Sequence, residues 1–181
     1  MKTINLKAAG FGGQGVMMFG KIVAYGAVEA NMNALWFPSY GPETRGGTAN
    51  CSVIVSNDEI DSPVFSKIDH LVVFNAPSLD KFEDAVKTDG IILYNSDLIS
   101  KTKGNVKAYG VPINAIAIKL GLPQAANMVM VGAYLEIAKI FDDKIVEDIV
   151  KHILGERKAK FVPVNMQAID EGRKFVRSLK G

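Results

Sequence analysis

The sequence predicts an α/β protein in three layers, α/β/α, and three observations carry that expectation. β-Branched or apolar runs alternate with helical periodicity through most of the 181 residues. Two of the runs, HLVVFNA and GIILYN, are apolar without alternation, as strands buried on both faces of a parallel sheet are. A glycine-rich turn, GFGGQG, stands between a strand-like and a helix-like segment, which makes the sheet Rossmann-like and largely parallel. With 48% hydrophobic residues the chain can bury one core, so residues 1–181 read as a single domain.

Taken in order, TINLKAAG is a β-branched strand that ends at Gly10. The glycine loop runs from Gly10 to Gly15, and a helix follows from Val16 to Ala30, with Val16, Phe19, Val23 and Ala27 spaced to face a core. NALWFP and TANCSVIVS are the second and third strands. PSLDKFEDAVKTDG reads as a short helix between the two apolar runs, with Pro77 near its start and Gly90 after its end. NVKAYGVP is a strand and NAIAIKLG a helix. AANMVMVGAYLEIAKIF, DDKIVEDIVKHIL and NMQAIDEGRKFVRSL then gather helices at the C-terminal end.

Composition removes several functions. A net charge of +2 and the lack of a like-charge run argue against nucleic acid as a partner. The one cysteine, Cys51, cannot build a disulfide framework or a zinc or iron–sulfur site from this chain alone. The segment MKTINLKAAG has no apolar core of a leader, and no apolar stretch reaches the roughly 18 residues of a membrane span, so the expectation is a soluble, cytoplasmic protein with no membrane partner.

The chemistry concentrates in two loops. GFGGQG fits G-x-G-x-x-G at Gly10, Gly12 and Gly15, where a tight turn brings backbone N–H groups to a helix N-terminus that can hold a phosphate. A dinucleotide site also wants an acid about 20 residues on, at the end of the second strand. That strand ends in Trp36, Phe37 and Pro38 instead. Two readings stay open: an anion site, or a turn shaped only for close strand–helix packing. No G-K-[ST] follows the glycines, and neither G-x-S-x-G nor H-E-x-x-H occurs. His70 and His152 read as structural or solvated histidines, Cys51 as a small core residue, and the Met17-Met18 and Met128/Met130 pairs as packing. DEGRKFVRSLKG reads as a solvated helix face. No catalytic residue and no metal ligand set is predicted. The second loop, SYGPETRGGTANC, carries Tyr40, Glu43 and Arg45 on a glycine-rich frame, more chemistry than a turn needs.

GFGGQGV at Gly10–Val16, SYGPETRGGTANCSVIVS at Ser39–Ser56, FNAPS at Phe74–Ser78 and the Asn127-containing LPQAANMVMVGAYL together resemble the γ-type subunit of 2-oxoacid:ferredoxin oxidoreductases, and within that family the 2-oxoglutarate branch. The resemblance covers most of the chain in order. It implies a subunit of an enzyme that oxidatively decarboxylates a 2-oxoacid to its acyl-CoA, with thiamine diphosphate, Mg²⁺ and iron–sulfur clusters carrying the chemistry and ferredoxin accepting electrons. It implies thiamine-binding α and β subunits, and a ferredoxin-like δ subunit, as partners. The G-D-G motif of a thiamine diphosphate site is missing here and one cysteine cannot ligate a cluster, so those cofactors are expected in partner subunits, with coenzyme A as co-substrate. On this reading Gly10, Gly12, Gly13, Gln14 and Gly15 form a phosphate or coenzyme A site, and Tyr40, Glu43 and Arg45 contact coenzyme A or a neighbouring subunit, since Arg clamps a carboxylate or phosphate bidentately. The bland rival pairs Arg45 with Glu43 or its own domain. A stand-alone phosphate-binding domain is the alternative function, and pyruvate, branched-chain and indolepyruvate enzymes are alternative substrate branches.

Overall fold

A computed structural model of the chain describes residues 3–41 and 47–180. Six strands form one mixed sheet in the order β2-β3-β1-β4-β5-β6. β1 is Ile4–Phe11, β2 Asn33–Tyr40, β3 Thr48–Ser56, β4 Ile68–Val73, β5 Val86–Asn95 and β6 Lys107–Val111. The helices are α1 (Val16–Glu29), α2 (Ala76–Phe82), α3 (Ile113–Lys119), α4 (Ala126–Ala138), α5 (Asp143–Leu154) and α6 (Val162–Lys180). The pairs β1–β4, β4–β5 and β5–β6 are parallel, whereas β2–β3 and β3–β1 are antiparallel. The sheet is therefore largely parallel, as expected, with an antiparallel margin. That margin follows from loop length: residues 41–47 suffice for a hairpin, while a parallel return needs a crossover of about a dozen residues or more.

Helices cover both faces unequally. On one face Leu6, Ala8, Val53, Val72 and Leu93 pack with α1 (Phe19, Ile22, Val23) and with α4 (Met130, Tyr134), backed by α5 and α6. On the other, Ala9, Leu71, Val73 and Ile92 meet Leu79 of the short α2. The chain thus leaves β1 toward one face and β4 toward the opposite face. A crevice must open between the carboxyl ends of those two neighbouring strands, which is where open α/β sheets hold their ligands.

Several predicted boundaries move: the second strand, expected to end at Pro38, runs on to Tyr40, so Tyr40 is a strand residue and not a loop one. The helix expected to run up to Gly90 ends at Phe82, a single 3₁₀ turn follows over Glu83–Ala85, and β5 begins at Val86. Val86 pairs with Ile68, while His70 pairs with Ile91, so β5 bulges over the intervening residues. Gly90 lies in that bulge: a Cβ there would sit 2.7 Å from the Asp69 carbonyl oxygen. It is a close-approach glycine within a strand rather than a helix stop. Lys87 anchors the bulge through Asp69 (2.6 Å), which also accepts the Asn5 N–H (2.8 Å). Among the described residues no helix is long and apolar enough to cross a membrane.

Candidate functional site

The glycine loop joins β1 to α1 as predicted. Gly10 is the penultimate residue of β1, and a Cβ there would press on Gln14 Oε1, Phe74 and Val16. Gly13 (φ 93°) and Gly15 (φ 81°) adopt left-handed backbone that favours glycine. Gly15 is the N-cap of α1, and a Cβ on it would run into the Asn127 side chain. Beyond Gly13 the space is open.

The first turn of α1 holds no acidic residue, and its N-cap has no side chain with which to cap it. The positive end of a 14-residue helix is therefore left to an outside acceptor. Gly12 does not join in: its N–H donates to the Gly47 carbonyl, one step beyond the β1–β3 ladder (3.0 Å). The donors left in the loop are those of Gly13 and Gly15, narrower than the sequence suggested. Gln14 braces them. Its Oε1 accepts from the Phe11 N–H (2.7 Å) and from Asn75 Nδ2 (2.9 Å), and Asn75 Oδ1 in turn accepts from Ser78 N at the start of α2 (3.0 Å). The predicted site residue Gln14 is thus a strut between β1 and β4.

A cavity of about 780 Å³ opens beside the loop. Its described walls are the loop itself, Val16, Met17, Met18 and Lys21 of α1, Tyr40, Gly41, Gly47 and Thr48 at the hairpin, and Ile153 of α5. Tyr40 ends β2 with 68% of its surface exposed. Glu43 and Arg45 lie outside the described residues. Lys21 stands above the Trp36 ring, 5.0 Å from its centroid. The site offers backbone donors at a helix end, one lysine, a phenol and an apolar floor: equipment for binding an anionic group with an apolar body. Met17 and Met18 are wall as well as packing, a role that their helical spacing alone does not reveal.

The other residues singled out in the sequence have these surroundings. Cys51 is fully buried, its Sγ 3.7 Å from the Val16 carbonyl; burial pushes its thiol up to about 11, only partly offset by the Trp36 indole N–H. His70 Nδ1 shares a hydrogen bond with the Tyr134 hydroxyl (3.0 Å), and burial lowers its pKa from the ordinary histidine value. His152 packs edge-on to Tyr25 on the outer side of α1. Among the described residues no group of three or more His, Cys, Asp or Glu side chains is placed to hold a metal ion.

Known proteins share this sequence and fold. The profile of the family described as pyruvate ferredoxin/flavodoxin oxidoreductase matches residues 5–175. The ketoisovalerate oxidoreductase subunit VorA of Methanothermobacter thermautotrophicus is 39% identical over 175 residues, 96% of this chain but 36% of the relative, so the chain spans about a third of that protein. The 2-oxoglutarate synthase subunit KorC of Methanocaldococcus jannaschii is 34% identical over 180 residues, 97% of this chain and 95% of the relative. Among solved structures, the keto/oxoacid ferredoxin oxidoreductase γ subunit from Geobacter sulfurreducens superposes with a TM-score of 0.82 at 28% identity, covering 97% of this chain and 99% of that one. A 2-oxoglutarate:ferredoxin oxidoreductase from Magnetococcus marinus, determined with 2-oxoglutarate, coenzyme A and succinyl-CoA bound, has the same fold over 98% of this chain and 32% of its own (TM-score 0.89, 22% identity). Fold and sequence agree: the chain belongs to the pyruvate ferredoxin/flavodoxin oxidoreductase family, with the fold of its γ-type subunits.

Proposed function

We propose that the chain serves a 2-oxoacid:ferredoxin oxidoreductase as its γ-type subunit and holds the coenzyme A co-substrate while partner subunits carry the redox chemistry. The observation that carries the reading is the uncapped N-terminus of α1, with Gly13 and Gly15 in left-handed backbone beside a cavity of about 780 Å³. Backbone donors and the helix dipole suit a phosphate, and the Met17 and Met18 wall suits the apolar reach of a long co-substrate. The coenzyme A-bound relative supports the choice of ligand. Thiamine diphosphate, Mg²⁺ and clusters fall to thiamine-binding α and β subunits and a ferredoxin-like δ subunit, because the one thiol of this chain is buried against Val16 and offers no cluster ligand set. The complex works in the cytoplasm on this reading. Similarity to KorC supports 2-oxoglutarate as substrate, and the higher identity to VorA supports the branched-chain ketoisovalerate as the second choice.

The test is the assembled complex, assayed with 2-oxoglutarate, ketoisovalerate and pyruvate, coenzyme A and a viologen dye. The highest kcat/KM assigns the oxoacid. Arg45→Ala is expected to raise the KM for coenzyme A roughly 10- to 100-fold, the loss of one charge-assisted contact, with the KM for the oxoacid and the thiamine content unchanged. Loss of assembly in gel filtration would instead make Arg45 an interface residue. An intact complex with unaltered coenzyme A dependence removes both roles.

A further inference from the structure

On the face of the sheet that carries α2, register sets Phe37, Ser52, Lys7 and Leu71 in one row across β2, β3, β1 and β4. At Leu71 the row lies in the cluster around Leu79 of α2. Toward β2 it comes out into the open: Phe37 is 58% exposed, and Leu35, its neighbour on the same face of β2, is 37% exposed. The alternate residues of that strand, Ala34 and Trp36, pack on the core beneath α1. So β2 carries apolar side chains on both faces, and one face is bare.

Two lysines stand beside it. Lys7 Nζ donates to Ser52 Oγ (3.1 Å) and lies 5.2 Å from the centre of the Phe82 ring, at the end of α2. Lys81 Nζ lies 5.4 Å from the centre of the same ring. Among the described residues neither lysine makes an ion pair. The acids at that end of α2 serve another lysine: Asp84 pairs with Lys103 Nζ (2.6 Å), and Glu83 accepts the Lys103 N–H (2.7 Å). Burial lowers the Lys7 pKa from the ordinary lysine value, Lys81 adds to the shift, and no carboxylate opposes it.

A half-buried ammonium is costly to keep charged, and an aromatic ring offsets only part of that cost. The rest calls for an anion from outside. A small inorganic anion would answer the lysines and leave Leu35 and Phe37 in water. A polypeptide with an acidic residue among apolar ones answers both, as interfaces with an apolar centre and a charged margin do. A second copy of the chain fits poorly, because a two-fold contact centred here would set Lys7 and Lys81 against their own images. Edge pairing is interrupted as well. The Gly41 N–H bonds to the Thr48 carbonyl (2.8 Å), which turns the backbone of the odd-numbered residues of β2 toward β3 and that of Pro38, which has no N–H, toward the free edge.

We propose that the Leu35–Phe37 face of β2, with Lys7 and Lys81 beside it, docks an acidic and apolar segment of a partner subunit. The chemistry of the segment follows from the face; its place in a partner subunit rests on the proposed function. The test measures the affinity of the purified chain for the purified α and β subunits by biolayer interferometry, and the mass of the chain alone by sedimentation equilibrium. Phe37→Ser and Lys81→Glu, both at exposed side chains, are each expected to weaken binding about tenfold, with Lys119→Glu on α3 as an unaffected control. Affinity of the unaltered chain should fall as sodium chloride rises, and less steeply in Lys81→Glu. If a variant does not fold, the salt series of the unaltered chain decides, and a flat response overturns the proposal. Undiminished binding by both variants, or an equal loss in the control, overturns the docking face and leaves the subunit assignment standing. No binding of the unaltered chain to either subunit removes that assignment, and the proposal with it. A dimer of the chain alone that Phe37→Ser dissolves gives the face to a second copy and likewise overturns the proposal.

Discussion

Gly13 and Gly15 both have positive φ, yet they answer to different demands. At Gly13 an added methyl group meets nothing, so alanine costs only the left-handed backbone, about 1–2 kcal/mol. At Gly15 the same backbone term is joined by a collision with Asn127. Urea denaturation should therefore rank Gly15→Ala clearly below Gly13→Ala in stability; equal losses would mean that α4 yields freely to the loop. Spacing singled out Gly15 and the family resemblance added Gly13, but neither named the neighbour that separates them, because Asn127 stands 112 residues beyond Gly15 in sequence. Asn75 and Asn95 left a fainter trace: each follows an aromatic residue at the end of an apolar run, Phe74-Asn75 and Tyr94-Asn95. Such a repeat marks two parallel strands that end on the same edge.

Between elements, the seam of β4 with α4 has a titratable group inside it. His70 donates to or accepts from Tyr134, and burial lowers its pKa, with Asp69 opposing the shift. A histidine depressed in the folded state contributes stability that is present above the unfolded value of 6.5 and lost as pH falls through the folded value. The urea midpoint should accordingly fall as the solution is acidified below about pH 6.5, and His70→Phe should flatten that part of the profile. An unchanged slope would assign the acid limb to other groups. The α4–α6 seam is set by glycine: a Cβ on Gly132 would strike the Ile169 backbone, and one on Gly172 the Val129 carbonyl. Either change to alanine must push two helices apart, and we expect a loss of about 1–3 kcal/mol, or more, in denaturant unfolding. Packing this close cannot be read from periodicity, which marks the buried stripe of each helix but not the distance between axes. The strand Thr48–Ser56 was legible to the residue because its apolar alternation and flanking glycines agree, whereas the Glu83–Gly90 stretch misled because PSLDKFEDAVK satisfies helical spacing until the bulge opposite Asp69 overrides it.

For the whole molecule, the layers, the strand–helix order and the largely parallel sheet were legible, and the antiparallel margin formed by β2 and β3 was not. A strand's own side chains record burial but not which way its neighbour runs; only the short connection from β2 to β3 carried that information. The same division applies to function. The glycine loop and the Ser39–Ser56 segment carried the family, while the cavity walls contributed by α5 and the hairpin became visible only once the chain was folded. At this scale the expectation concerns partition of labour: the purified chain alone should reduce no viologen dye with any 2-oxoacid, and activity should return on adding the partner subunits. Oxoacid-dependent reduction by the single chain would show that it carries redox chemistry of its own.

One hydrogen bond, from the Gly12 N–H to the Gly47 carbonyl, has a bearing on timing. It extends the β1–β3 ladder by one bond and ties the start of β3 to the loop in front of α1, so the two cannot shift independently while it holds. A neighbouring subunit that grips the hairpin would thereby set the position of the loop without touching it. Were that grip to draw Gly47 away, the freed Gly12 amide would become a third donor beside those of Gly13 and Gly15. Its exchange with solvent deuterium is thus a clock for the hairpin: slow while the latch is closed, fast when the partner pulls it open, and slow again once an incoming phosphate takes the place of Gly47.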